Sequence, residues 1–207
     1  MLNKQNRWYT YLYRSLLGFI ALMFSGCSSQ SIDFYQQHAK ERKYPLDLRQ
    51  FFQGDIEGWG ALFDWSGRQT RSFYVQIKAS WQGNQGVLDE WFTFDDGEKV
   101  YRQWKVDYRD DQTFEARAGD VVGVAQGLTA ANAVNMNYVL RLPYKDSTID
   151  VSMDDWMYQV EDGVVLNKTA MKKWGFKVGE VALIMKKKSG IAQGQSTQQS
   201  PQQLIKP

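Results

Sequence analysis

The sequence predicts an all-β protein, a single antiparallel up-and-down meander that closes into a lipocalin-like barrel after a short N-terminal helical segment. Apolar segments of strand length recur at short, regular intervals. In the clearest of them, 71–82, apolar side chains alternate with polar ones, which indicates one buried and one solvated face. Turn sequences such as Asp95-Asp96-Gly97 separate the segments. Closure removes the exposed edges of such a sheet, and about eight strands would leave room for side chains or one small ligand. An open β-sandwich is the alternative.

The folded part begins with a short helical segment at Tyr44. In it, Leu48, Phe51 and Phe52 are spaced as one apolar turn that would cap the structure that follows. A first strand is expected at 56–64. Because side chains alternate along a strand, Trp59 and Phe63 share one face, and the neighbouring glycines share the other. The aromatic face is predicted to be the inner one.

The rest of the chain also alternates between strand-like segments and turns. We expect strands at 86–94, 100–108, 113–118, 121–128, 133–142, 149–160 and 176–187. The segment 164–174 is predicted as a short helix or an irregular stretch. The tail, 188–207, is rich in Gln, Ser and Pro and should be disordered, because it has few apolar groups to bury.

The N-terminus has the pattern of an export signal over residues 1–26. Three basic residues and no acidic ones precede a short apolar run, Leu16–Phe24, and the small residues Ser25 and Gly26. Cys27, the only cysteine, follows directly, and the site resembles a bacterial lipobox. We therefore expect a lipid anchor on Cys27, a tether over 27–43, and, from Ser28, sorting to the periplasmic face of the outer membrane. An uncleaved N-terminal anchor is the alternative.

The composition limits which partners, catalytic groups and metal sites can be expected. Without residues 1–26 the chain has 22 basic and 23 acidic side chains, so a nucleic-acid partner is not expected. The domain 44–187 contains no Cys or His, which excludes Cys–His and Ser–His–Asp catalysis and histidine–zinc sites there. The only histidine, His38, lies in the tether and is expected to be solvated. No cofactor or metal is expected, and carboxylates remain as the candidate reactive groups.

The candidate ligand-binding residues are aromatic side chains together with one charged pair. Asp154 and Asp155 are adjacent and should point to opposite faces of a strand, and Arg102 is the expected partner of the buried one. The aromatic side chains either fill the core or line an incompletely filled barrel. The set comprises Trp59, Phe63, Trp81, Trp91, Arg102, Trp104, Asp155 and Trp156.

Three functions are compatible with these features. The first is a membrane-anchored, non-catalytic binding protein for a lipid or another apolar molecule, motivated by an apolar-faced meander beside a lipid anchor. The second is an envelope scaffold or interaction lipoprotein with a filled core. The third is a carboxylate-dependent enzyme that modifies lipids. Protein partners and oligomeric state are not predicted.

Several short motifs of the folded part recur together in one known family. They include Pro45–Gly54, Gly58-Trp59-Gly60, Gly119–Gly123, Asp154–Tyr158 and Gly179-Glu180-Val181. In these motifs the chain resembles the lipoprotein family called domain of unknown function 3833, over about 44–187. The resemblance implies a lipoprotein with a single β-rich domain, and it supplies no reaction and no catalytic residues.

Overall fold

Ten antiparallel strands form a closed up-and-down barrel in the computed structural model, which describes residues 31–188. Two short helices, α1 (Ile32–Gln37) and α2 (Leu48–Phe51), and a 3₁₀ turn, Ala39–Glu41, precede the first strand. Each strand pairs with its sequence neighbours, and β1 closes the barrel against β10. The strands are β1 (Gly54–Asp64), β2 (Gln69–Gln82), β3 (Gln85–Phe94), β4 (Lys99–Tyr108), β5 (Thr113–Arg117), β6 (Val121–Ala130), β7 (Ala133–Tyr144), β8 (Ser147–Glu161), β9 (Val164–Lys173) and β10 (Phe176–Lys187).

The barrel and its helical entry confirm the predicted fold class, with one correction. Nine strands were predicted and the barrel has ten, because 164–174 is neither helical nor irregular. Most of it is β9, which pairs with both β8 and β10. The apolar alternation is hard to see in β9 because its inner face carries Asn167 and Thr169, both buried, between Val165 and Met171. The predicted signal peptide and Cys27 lie outside the described residues, as does nearly all of the predicted tail.

Helix α2 closes one end of the barrel. Asp47 caps its N-terminus by accepting a hydrogen bond from the backbone N–H of Arg49 at 2.8 Å. The indole N–H of Trp81 donates to the carbonyl oxygen of Phe52 at 3.0 Å, and Lys187 Nζ donates to that of Gln50 at 2.6 Å. Leu48 and Phe52 are each only 4% exposed. This is the plug that the apolar spacing predicted.

The other end of the barrel has short hairpin turns, and the residues near it that face inward, such as Leu62 and Leu142, are half-buried. Three adjacent hairpins at this end, β1–β2, β7–β8 and β9–β10, expose large aromatic side chains: Trp65 (75% exposed), Tyr144 (53%), Trp174 (86%) and Phe176 (76%). We call this end the open rim.

Three inward-facing glycines of the barrel wall each lie beside a large aromatic ring on the neighbouring strand. Gly60, Gly86 and Gly127 each stand directly opposite an aromatic residue in the strand register, namely Phe73, Trp81 and Phe114. A Cβ atom added to any of these glycines would collide with the facing ring. A ring can therefore lie flat against the neighbouring strand only where that strand has no side chain. This pairing fixes which face of β1 points inward.

Candidate functional site

A cavity of about 260 Å³ runs through the barrel interior. Its volume lies just below the range of about 300–1,000 Å³ that is usual for ligand sites. Apolar side chains from nearly every strand form most of the wall, while Leu48 and Phe52 of the plug form its floor. The charged residues of the lining are Glu90, Arg102 and Asp155. A mostly apolar cavity with a few convergent polar groups is the usual form of a small-molecule site.

Arg102 is held by a carboxylate that the sequence did not indicate. It lies opposite Glu90 in the β3–β4 register, yet its Nε and Nη2 atoms donate to Asp120 at 2.6–3.1 Å. Asp120 lies in the turn between β5 and β6. Because β5 is short, β4 pairs with it only over Lys105–Tyr108, so the Arg102–Asp120 ion pair bridges a stretch of wall without a β4–β5 ladder. Asp155, the expected partner, lines the same cavity, and the charge of Arg102 acts to lower its pKa. The hydrogen-bonded ion pair of Arg102 is nevertheless with Asp120.

Asp155 is buried and accepts several hydrogen bonds inside the cavity. Asn167 Nδ2 donates a hydrogen bond to it, and the Tyr138 hydroxyl donates at 3.3 Å. Burial raises the pKa of Asp155 to about 6, although the hydrogen bonds from Asn167, Thr169 and Tyr138 act to lower it. Burial also raises the pKa of the Tyr138 hydroxyl well above its usual value.

Glu90 is the second carboxyl group of the cavity. Burial raises its pKa to about 7, while the positive charge of Arg102 acts in the opposite direction and the negative charge of Asp155 adds to the rise. Near neutral pH the cavity therefore holds two carboxyl groups that are both close to their titration points. Perturbed carboxyl groups that converge in a cavity are typical of functional sites.

The predicted site residues fall into two groups. Trp81, Arg102, Trp104 and Asp155 line the cavity. The rings of Trp104 and Tyr138 meet edge to face across the interior, with centroids 5.3 Å apart. Glu90, Tyr138 and Asn167 were missed. Glu90 could have been found from the alternation of β3, since it shares a face with Leu88 and Phe92.

The other four predicted residues do not line the cavity. Trp59 and Trp91 are 50% and 43% exposed, and each packs on a neighbouring tyrosine of the outer surface. Phe63 is on the outward face of β1 beyond a register shift. For β1 the predicted inner face is wrong, because Gly58 and Gly60 must face inward: a side chain at Gly60 would displace the Phe73 ring.

Trp156 is buried outside the barrel wall. Its indole N–H donates to Asp154 at 2.9 Å, and its ring stacks on Tyr158 with Tyr35 of α1 beside it. Asp154 also accepts a hydrogen bond from Lys172 at 3.0 Å. Asp154 and Asp155 thus do point to opposite faces, as strand geometry requires. The residues that the structure describes contain no group of three His, Cys, Asp or Glu side chains that could hold a metal ion.

The fold has a relative among solved structures. The chain is similar to the S-type phycobiliprotein lyase CPES from Guillardia theta, with a TM-score of 0.50 and 7% sequence identity over 78% of this chain and 100% of that one. At that identity the likeness concerns the fold alone. No curated protein matches the sequence. A family model described as protein of unknown function (DUF3833) matches residues 21–187, and the chain therefore belongs to that family.

Proposed function

We propose that this protein is a membrane-anchored binding protein that holds an apolar molecule, such as a lipid, inside its barrel at the cell envelope. The observation that carries the proposal is the cavity of about 260 Å³, whose wall is mostly apolar with one cluster of polar groups. Its floor is sealed by α2, so a ligand would enter through the open rim. A filled interior, which the scaffold alternative requires, does not fit this cavity.

The membrane part of the proposal is supported by the sequence around Cys27 and by the open rim. Tryptophan and tyrosine favour the interface between water and lipid, because their rings are apolar and carry a polar group. The rim exposes Trp65, Trp174 and Tyr144 at the end where a ligand would enter. None of the helices within residues 31–188 is long and apolar enough to cross a membrane.

We expect the protein purified from membranes of its own cells to carry a non-covalent apolar ligand. Native mass spectrometry should show the added mass, and denaturing conditions should remove it while leaving any covalent acyl groups in place. Replacing Ala116, which is 1% exposed and lines the cavity, with Phe should abolish the added mass. The matched change Ala61→Phe on the outer face of β1 should retain it. A protein that is uniformly empty would contradict the proposal.

The same sample distinguishes a second candidate function. Two carboxyl groups with pKa values near 6 and 7 in one cavity would suit general acid–base catalysis on a lipid. A binding protein should release its ligand chemically unchanged after prolonged incubation. A ligand that is converted by the wild type and not by Glu90→Gln would establish the enzyme instead.

We expect radiolabelled palmitate to be incorporated into the wild type and not into Cys27→Ser. The serine variant should also move from the membrane fraction to the soluble fraction. The sulfur is the predicted site of acylation, and one or more acyl chains supply the membrane affinity. Equal labelling of both proteins would exclude lipidation at Cys27 and would leave the barrel's binding function to be judged on its own.

A further inference from the structure

The charges inside the cavity restrict what the polar end of a ligand can be. We infer that the cavity takes an apolar molecule whose polar end donates hydrogen bonds, a primary amine or a hydroxyl, rather than a free fatty acid. The inference rests on the proposed binding function and narrows its ligand class.

Acidic groups outnumber basic ones around the cavity. Glu90 on β3 and Asp155 on β8 line it, Asp120 lies just behind Arg102, and Arg102 on β4 is the one cation among the lining residues that the structure describes. The other polar groups that face the cluster are neutral. They are Trp104 on β4, which hydrogen-bonds Glu90, and Tyr138 on β7 with Asn167 and Thr169 on β9, which hydrogen-bond Asp155. The lining residues from β1, β2 and β10 are apolar.

Arg102 is poorly placed to bind a ligand carboxylate. Two of its nitrogen atoms already donate three hydrogen bonds to Asp120, the shortest at 2.6 Å. A bidentate pair of this kind is the arrangement a fatty acid would otherwise take. Arg102 also interacts with the negative charge of Glu90. This interaction raises the pKa of Arg102, whereas burial acts to lower it. A ligand carboxylate would therefore have to displace Asp120 and would also face two like charges.

Glu90 and Asp155 supply the complementary acceptors. An ionised carboxylate can only accept hydrogen bonds, with two oxygens and about four lone-pair sites. Burial raises the pKa values of both groups, so the hydrogen bonds and charges that surround each carboxylate do not fully offset the cost of burying its negative charge. An ammonium or hydroxyl head group would offset more of that cost. The apolar chain of the ligand would then lie along the apolar wall between Trp104 and the plug.

We expect decylamine, decanol and decanoate to bind in that order of decreasing affinity, because the three share one chain and differ only in the head group. Trp81 and Trp104 line the cavity, so quenching of intrinsic fluorescence below the micelle concentration reports binding. At pH 8 decylamine should bind at least roughly tenfold more tightly than decanoate, since charge-assisted hydrogen bonds are the stronger kind. The preference should shrink at pH 5, where Glu90 and Asp155 are protonated.

The variants Glu90→Gln and Asp155→Asn should each reduce the preference for the amine. Asp89→Asn is the matched control. Asp89 neighbours Glu90 on β3, faces outward and is hydrogen-bonded to Tyr101 at 2.5 Å, so its replacement should leave the ranking unchanged. The ranking in the wild type needs no variant, so a variant that fails to fold does not prevent the test. Decanoate binding as tightly as decylamine would overturn the inference while leaving the binding function intact. If no probe bound, the binding function would fall as well.

Discussion

Replacing Arg102 with Met should destabilise the protein by about 3–5 kcal/mol at pH 8, the cost of leaving buried charge without its partner. Its side chain is 18% exposed and holds Asp120 across the part of the wall where β4 lacks β5. Arg102 is the only cation that lines the cavity within residues 31–188, so the substitution removes the positive charge that favours the ionised forms of Glu90 and Asp155. Urea unfolding followed by circular dichroism would measure the change. Arg141→Met is the matched control, because that arginine pairs with Asp150 on the surface, with both side chains exposed. It should cost no more than about 1 kcal/mol.

The cost of Arg102→Met should be smaller at pH 5, and the sign follows from the two cavity carboxyl groups. Burial raises the folded pKa values of Glu90 and Asp155 above their ordinary values of 4.5 and 3.8, to about 7 and about 6. The folded protein therefore holds these protons more tightly than the unfolded chain does. Their effect on stability is most favourable below pH 4 and is lost as pH rises toward 7. A loss of stability that is the same at pH 5 and pH 8 would contradict this account.

Replacing Phe114 with Ala should also lower the free energy of unfolding by about 3–5 kcal/mol, the usual cost of removing a buried phenylalanine ring. Phe114 is 2% exposed and its ring lies over Gly127 on the next strand. The alanine variant would lose the contacts of the Phe114 ring and would leave Gly127 without a ring over it. Thermal or urea unfolding of the purified protein is the measurement.

Two controls make the Phe114 test specific. Phe114→Leu keeps most of the apolar volume and should cost less than about 1.5 kcal/mol. Phe176→Ala removes the same ring from a side chain that is 76% exposed on the open rim, and its effect should stay within about 0.5 kcal/mol. If Phe114→Ala were as mild as Phe176→Ala, the ring-over-glycine pairing would not be part of what holds the barrel together.

The outline of the barrel could be predicted from the chain because alternation is a local property. In β2 every second residue from Phe73 to Ala79 is buried, and the pattern is visible without any partner. The same holds for the plug, where Leu48, Phe51 and Phe52 are all buried as their spacing indicated. Where the inner face carries polar groups, as in β9 with Asn167 and Thr169, alternation of apolar residues no longer marks the strand.

The site was only partly predictable, because its members meet across the barrel. The pairing of Arg102 with Asp120 depends on the shortness of β5 and on the turn that follows it. The inward position of Glu90 was missed, although the alternation of β3 indicates it, and its raised pKa comes from burial and from the charge of Asp155 on β8. Trp59 and Trp91 were assigned to the site because large aromatic side chains usually lie inside, and both are on the outer surface.

The sequence alone determined that the chain is a meander of short strands closed at one end by an apolar turn, since period-two alternation and turn residues act between near neighbours. It also carried the prediction of an anchor at Cys27. The tertiary structure decided which face of β1 points inward, because the Phe73 ring of the next strand occupies the space that a side chain at Gly60 would need. It also decided that an arginine and three carboxyl groups meet at one cavity, since charges on β3, β4 and β8 and in the β5–β6 turn come together only when the barrel closes.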